Sequence, residues 1–219
     1  VLALTKSLIL KMLQKFKRHL SKSFPALKDQ KILLALSGGL DSCVLLDLCL
    51  KSGLQPAVAH CNFKLRGKDS DDDAKWIKNL ANTKNLKYYI ENFDSESYAR
   101  TKKVSIQMAA RDLRYEWFDQ LSNQFNFDFI LVAHHTNDAL ETFMINAMRG
   151  TGLRGLLGIP ERREKILRPM LPFSRVDIMQ YAQENNIKWR EDSSNAETYY
   201  LRNWLRQEVI PLGKKETPI

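Results

Sequence analysis

Four short apolar runs, each followed by a stretch with helical spacing, limit what this chain can fold into more than any other feature. They are "KILLAL" (31–36), "QPAVAHC" (55–61), "LKYYIEN" (86–92) and "DFILVAH" (128–134). Runs of this length suit strands covered on both faces. Between them "SCVLLDLCLKSG", "DSDDDAKWIKNLANTKN" and "SIQMAARDLRYEWFDQLSNQ" repeat apolar residues at helical intervals, and Gly53 closes the first. Strands and helices in alternation give parallel neighbours joined by right-handed crossovers. The expected fold is α/β, a doubly wound and mainly parallel sheet, with ligands beyond the carboxyl ends of its strands. Helices are also expected over residues 3–21, ahead of Pro25, over "TNDALETFMINAMRG", and over "RVDIMQYAQENN" behind a capping box of Ser174 and Asp177.

With 219 residues the chain suits one larger domain. No apolar run reaches the length of a membrane span, and Lys6, Lys11, Lys15 and Lys17 interrupt the N-terminal residues in a way that argues against a signal peptide. Cys43, Cys49 and Cys61 form no CxxC pair and read as reduced, core-filling thiols of a cytoplasmic protein. Lysine and arginine outnumber aspartate and glutamate, 34 to 25, for a net charge of +9 that favours a polyanionic partner. The placement sharpens this. No carboxylate precedes Asp29, whereas Lys15, Arg18 and five further lysines do, and a second basic stretch runs from Arg149 through Arg154 and Arg162 to Arg168.

The turn after the first strand, Ser37-Gly38-Gly39-Leu40-Asp41-Ser42, carries more hydroxyl and carboxylate than a tight turn needs. It sits where backbone N–H groups and a helix N-terminus converge, the usual place for a phosphate. Neither the dinucleotide fingerprint GxGxxG nor the Walker loop GxxxxGK[ST] fits it. Asp41 would repel a bare phosphate, but is favourable where Mg²⁺ bridges it to phosphates. An ordinary strand–turn–helix with a polar cap would show the same glycines. Asp138 and Glu141 share a helix face just beyond the fourth strand, as a carboxylate pair for a cation or as a solvated acidic face. His134 and His135 are consecutive, which sets them on opposite sides of a strand and argues against a shared zinc ion.

SGGLDS resembles the SGGxDS pyrophosphate loop of the PP-loop ATPases. "HCNFKLRGKDSDDDA" (60–74), "SIQMAARDLRYEWF" (105–118), "AHHTNDALETFMINAMRGTGLRGLLGIP" (133–160), "RPMLPFSRVDI" (168–178) and "WREDSSNAETYYLRNWLRQEVIP" (189–211) then resemble, in order, the motifs of the tRNA(Ile)-lysidine synthase family. Phe63 departs from that pattern, which usually has a histidine there. The resemblance implies a mainly parallel five-stranded sheet of the adenine nucleotide alpha hydrolase-like type. It implies one catalytic domain over 1–212 with its N-terminal helix, a short tail over 213–219, and no full C-terminal tRNA-binding domains.

The implied reaction uses ATP and Mg²⁺ to adenylate the C2 oxygen of the wobble cytidine in a tRNA(Ile) with a CAU anticodon. The side-chain amine of free L-lysine then displaces AMP. The resemblance assigns ATP to Ser37, Gly38, Gly39, Leu40, Asp41, Ser42, His60 and His134, with Mg²⁺ reaching Asp41 through the phosphates. It assigns phosphate neutralisation to Arg114 and lysine to Asp138 and Glu141, and makes Asp41, Arg114, Asp138 and Glu141 the catalytic set. Arg202 and Arg206 suit ATP or RNA, and Lys15, Arg18, Arg66, Arg149 and Arg154 suit tRNA. A homodimer stays open. The competing readings are a PP-loop tRNA thiolase, which the lack of paired cysteines disfavours, and an inactive nucleotide-sensing RNA-binding module, which would not need Asp41, Asp138 and Glu141.

Overall fold

The computed structural model describes the backbone of residues 2–190 and 204–210. The chain opens with α1 (Leu2–Ser23) and a short 3-10 turn (Pro25–Asp29). It then alternates through β1 (Ile32–Ala35), α2 (Leu40–Lys51), β2 (Ala57–Asn62), α3 (Lys68–Thr83) and β3 (Tyr88–Asn92). Next come α4 (Ser95–Lys102), α5 (Ile106–Phe125), β4 (Phe129–Leu131), α6 (Thr136–Met148) and α7 (Leu153–Leu156), then the hairpin β5 (Arg162–Arg163) and β6 (Ile166–Leu167), and α8 (Arg175–Glu184).

The sheet has six strands in the order β3-β2-β1-β4-β6-β5. Five of them run parallel, as the resemblance implies, and the sixth, β5, is a two-residue antiparallel edge paired to β6. From β1 the chain winds outward to β2 and β3, then crosses back to lay β4 on the other side of β1. The direction of winding therefore reverses between β1 and β4, and the two crevice walls part above their carboxyl ends.

Alternation of side chains explains why the strand runs are apolar throughout. Leu34, Val58 and Leu131 face a layer with Phe16 of α1, Leu45 and Leu48 of α2, Ile77 of α3 and Tyr181 of α8. Their neighbours Leu33, Ala59 and Ile130 face Trp117, Phe118 and Leu121 of α5. Each fully buried leucine or isoleucine contributes roughly 1.5–3 kcal/mol relative to exposure, so both layers are needed to hold the sheet. No described helix is long and apolar enough to cross a membrane.

The short helices at Pro25–Asp29 and Leu153–Leu156, α4 and the β5–β6 hairpin all differ from the sequence reading. α4 was not expected; it begins where Asp94 accepts a hydrogen bond from the Ser97 N–H at 2.9 Å. The β5–β6 hairpin also lacks a periodic signal, because strands of two residues show no alternation. The capping box before α8 is present, with the Asp177 N–H donating to Ser174 Oγ (3.2 Å) and the Ser174 N–H to Asp177 Oδ2 (3.0 Å).

Candidate active site

The Ser37–Ser42 turn leaves β1 and enters α2 through two glycines that do different work. Gly38 has φ +91°, a conformation that costs a residue with a Cβ; a Cβ there would also lie 3.4 Å from Ile77 Cδ1 of α3. Gly39 is the N-cap of α2, and its N–H donates to Ser37 Oγ at 3.2 Å. Ser42 Oγ donates to the Gly39 carbonyl and lies 3.0 Å from Ser37 Oγ, so the turn is tied to itself. No side chain caps α2, and its first-turn N–H groups have no intrahelical acceptor. Unpaired backbone donors at a helix N-terminus are the kind of group an anion accepts from.

An open cleft of about 260 Å³ lies above β1, β2 and β4, beside this helix end. Ser37, Asp41 and Ser42 line it from the turn, Cys61 and Phe63 from the end of β2, Arg114 and Tyr115 from α5, and His134 and Asp138 from the β4–α6 junction. Residues from distant parts of the sequence thus meet at the switch point. The Arg114 guanidinium stands 5.4 Å over the Phe63 ring, so the position that departs from the family pattern carries an aromatic platform for a cation. Phe63 in turn stacks on Phe93 at 5.5 Å. Burial pushes the Cys61 thiol up to about 12, against the opposing pull of Arg114, so it stays protonated.

Asp41 has a charge partner that the sequence reading did not find. Arg175, at the start of α8, reaches its two oxygens at 3.1 and 3.2 Å. The signal was there. A basic residue in the first turn of a helix opposes the dipole, and so needs an anion of its own. His135, 1% exposed, was also missed. Its Nδ1 accepts from the Asn137 N–H at 3.2 Å, leaving the ring proton on Nε2, which lies 3.7 Å from Asp41 Oδ1 and 3.5 Å from Asp138 Oδ2. Asp138 Oδ2 accepts from the His135 N–H at 2.9 Å, so one capping box fixes α6 and both side chains. His134 turns elsewhere. Its Nδ1 accepts from Arg168 Nε at 3.2 Å, which puts the ring proton on Nε2 as a donor.

The remaining candidates are not all in the cleft. Glu141 is 0% exposed and does not line the cleft. His60 is buried and donates from Nδ1 to the Leu36 carbonyl at 2.9 Å; burial lowers its pKa and keeps it neutral. Its Nε2 has no hydrogen-bond partner among the described residues. Arg66 pairs with Asp73 at 2.7 Å, and Arg190 grips the other oxygen of Asp73 at 2.6 Å. The Arg190 N–H also donates to the Gly38 carbonyl at 2.9 Å, which clasps the segment after α8 onto the glycine turn. Lys15 and Arg18 are exposed on α1, and Arg149 is exposed at the end of α6; none of the three lines the cleft. Arg202 and the side chains of Arg154 and Arg206 lie outside the described residues. Cys43 and Cys49 are buried on α2, and burial raises both thiols.

A family model described as a PP-loop domain matches residues 12–213. The chain belongs to the PP-loop domain family. It is 40% identical over 205 residues to the tRNA(Ile)-lysidine synthase of Bacteroides thetaiotaomicron, covering 94% of this chain and 48% of that one. It is 43% identical over 191 residues to the enzyme of that name from Porphyromonas gingivalis W83 (87% and 42%), and 36% over 203 residues to that of Chlorobaculum tepidum (91% and 61%). The chain spans about half the length of the curated relatives it matches. Among solved structures it is similar to the U34-tRNA thiolase NcsA from Methanococcus maripaludis, with TM-score 0.74, 17% identity, and 94% and 74% of the two chains covered. The NMN synthetase of Francisella tularensis superposes at TM-score 0.59 and 17% identity, covering 94% and 81%. At these identities the structures show a shared PP-loop fold. The identities to lysidine synthases agree with the motif order read from the sequence.

Proposed function

We propose that this PP-loop domain uses ATP to attach free L-lysine to C2 of the wobble cytidine of a tRNA(Ile) bearing CAU. The observation that carries the reading is the meeting, in one cleft, of an uncapped helix N-terminus, Asp41, Arg114 and Asp138. Ser37, Gly38, Gly39, Leu40, Asp41 and Ser42 hold the ATP phosphates through N–H and hydroxyl donors. The C2 oxygen of the base attacks the α-phosphorus, the α–β bond breaks, and pyrophosphate leaves. Arg114 and His134 Nε2 donate to the phosphate oxygens as charge builds on them. The lysine side-chain amine, in its neutral form, then attacks C2, AMP departs with the former C2 oxygen, and the proton the nitrogen loses passes to Asp138 or directly to water. Asp138 on the cleft wall draws in the lysine ammonium, and buried Glu141 reinforces the negative potential where water is excluded.

The hard oxygen donors of Asp41, Ser37 and Ser42 fit Mg²⁺. When bound there, the ion would neutralise phosphate charge. Arg175, bonded to Asp41, would exchange that carboxylate for a phosphate oxygen.

The test is incubation with ATP, Mg²⁺, labelled lysine and tRNA(Ile) with CAU, followed by nucleoside digestion. Lysine recovered covalently on a cytidine supports the assignment. RNA-dependent pyrophosphate exchange without any lysine transfer rejects it.

A further inference from the structure

A second cavity, of about 560 Å³, lies against α5 and the β5–β6 hairpin. Arg111, Asp119 and Ser122 line it from α5, Arg163, Glu164 and Lys165 from the hairpin, and Arg168 from just beyond β6. Tyr115 lines both this cavity and the cleft, and the Arg168–His134 bond also joins the two.

Its lining is short of negative charge. Arg168 is only 4% exposed, yet its hydrogen bonds go to His134 Nδ1, the Pro160 carbonyl at 2.8 Å and the Tyr115 hydroxyl, none of them a carboxylate. Among the described residues no ion pair engages Arg111, Arg163, Lys165 or Arg168. Four cations therefore face two carboxylates, Asp119 and Glu164. The Ser122 hydroxyl on the same wall is 1% exposed and has no hydrogen-bond partner among the described residues. A buried cation without a counter-charge is costly to keep, and burial with Arg111 and Arg163 nearby lowers the Arg168 pKa. Guanidinium forks and an ammonium around one hollow match the oxygens of a phosphate.

We propose that this cavity is a backbone-phosphate subsite for RNA, seating a phosphate beside the nucleotide whose base enters the cleft. The inference rests on the RNA substrate proposed above. ATP phosphates belong to the glycine turn, so the cavity takes a different phosphate.

Arg111 and Arg163 are exposed, so Arg111→Ala/Arg163→Ala spares the core that Arg168 occupies. Binding of a fluorescein-labelled RNA stem-loop with a CAU loop is followed by anisotropy across a salt series. The double variant should bind about tenfold more weakly. Its plot of log affinity against log salt should flatten by about 0.7 for each lost single-strand contact. A stem-loop of another loop sequence should lose as much, because backbone contacts carry no sequence information. Unchanged affinity and slope overturn the proposal. Inorganic pyrophosphate, titrated under ³¹P NMR, is the second arm: if the double variant loses pyrophosphate but keeps RNA, the cavity serves free phosphate and the RNA assignment falls. RNA affinity that depends on the cavity, in a chain that transfers no lysine, upholds the subsite and rejects only the reaction. Failure of the parent chain to bind RNA rejects both.

Discussion

Replacing Asp41 with asparagine separates the stability of the glycine turn from its chemistry. The Arg175–Asp41 pair is 3.1 Å long, with the two side chains 38% and 30% exposed. Solvent screens an ion pair this open, and such pairs contribute about 0–1 kcal/mol. Asparagine keeps a carbonyl oxygen for Arg175 and has the same shape, so the loss of stability should fall within that range. The catalytic cost is of another size. Asp41 would act through the Mg²⁺ it helps to hold, and losing that stabilisation of developing phosphate charge in a preorganised site costs about 2.7–4 kcal/mol, or 10²–10³ in rate. Asp41→Asn should therefore cut RNA-dependent ATP–pyrophosphate exchange by that factor while its urea midpoint moves little. Exchange within about threefold of the parent rate, at ordinary Mg²⁺, would falsify the role given to Asp41. A large fall in the urea midpoint would show instead that the Arg175 bond holds the turn together.

Asp138→Asn should raise the KM for lysine more than that for ATP, and Glu141→Gln, which does not line the cleft, should follow it more weakly; steady-state titration of each substrate decides, and an effect confined to ATP would mean the wrong ligand. Gly38→Ala should destabilise the chain by about 1–3 kcal/mol, since φ +91° is strained for alanine, and an unchanged urea midpoint contradicts this. Cys61, held protonated up to about pH 12, should alkylate at neutral pH about a thousandfold more slowly than a free thiol, with a rate that climbs as pH rises; iodoacetamide labelling read by mass spectrometry checks both. Lys15→Ala/Arg18→Ala should flatten the salt slope of tRNA binding without touching ATP affinity, and an unchanged slope would confine RNA contact to the cleft and its neighbouring cavity.

The strand runs, the glycine turn and the capping box at Ser174 were legible in the sequence because each is a local pattern. A buried strand must be apolar, a turn at positive φ selects glycine, and a capping box spans only four residues. From those patterns followed the parallel sheet, the glycine turn at Ser37–Ser42 at the mouth of the cleft and the position of Asp138. The partners of those residues were not legible, because they arrive from far along the chain. Arg175 meets Asp41 across 134 positions and Arg190 meets Asp73 across 117. No periodicity records such contacts; only the crossover from β3 back to β4 brings these segments to one sheet edge. Burial was equally hidden. Asp138 and Glu141 sit on one helix face in the sequence, but packing around α6 leaves Asp138 on the cleft and closes over Glu141. Arg168 read as one more residue of a basic stretch until the fold buried it without a carboxylate, between the cleft and the cavity beside it.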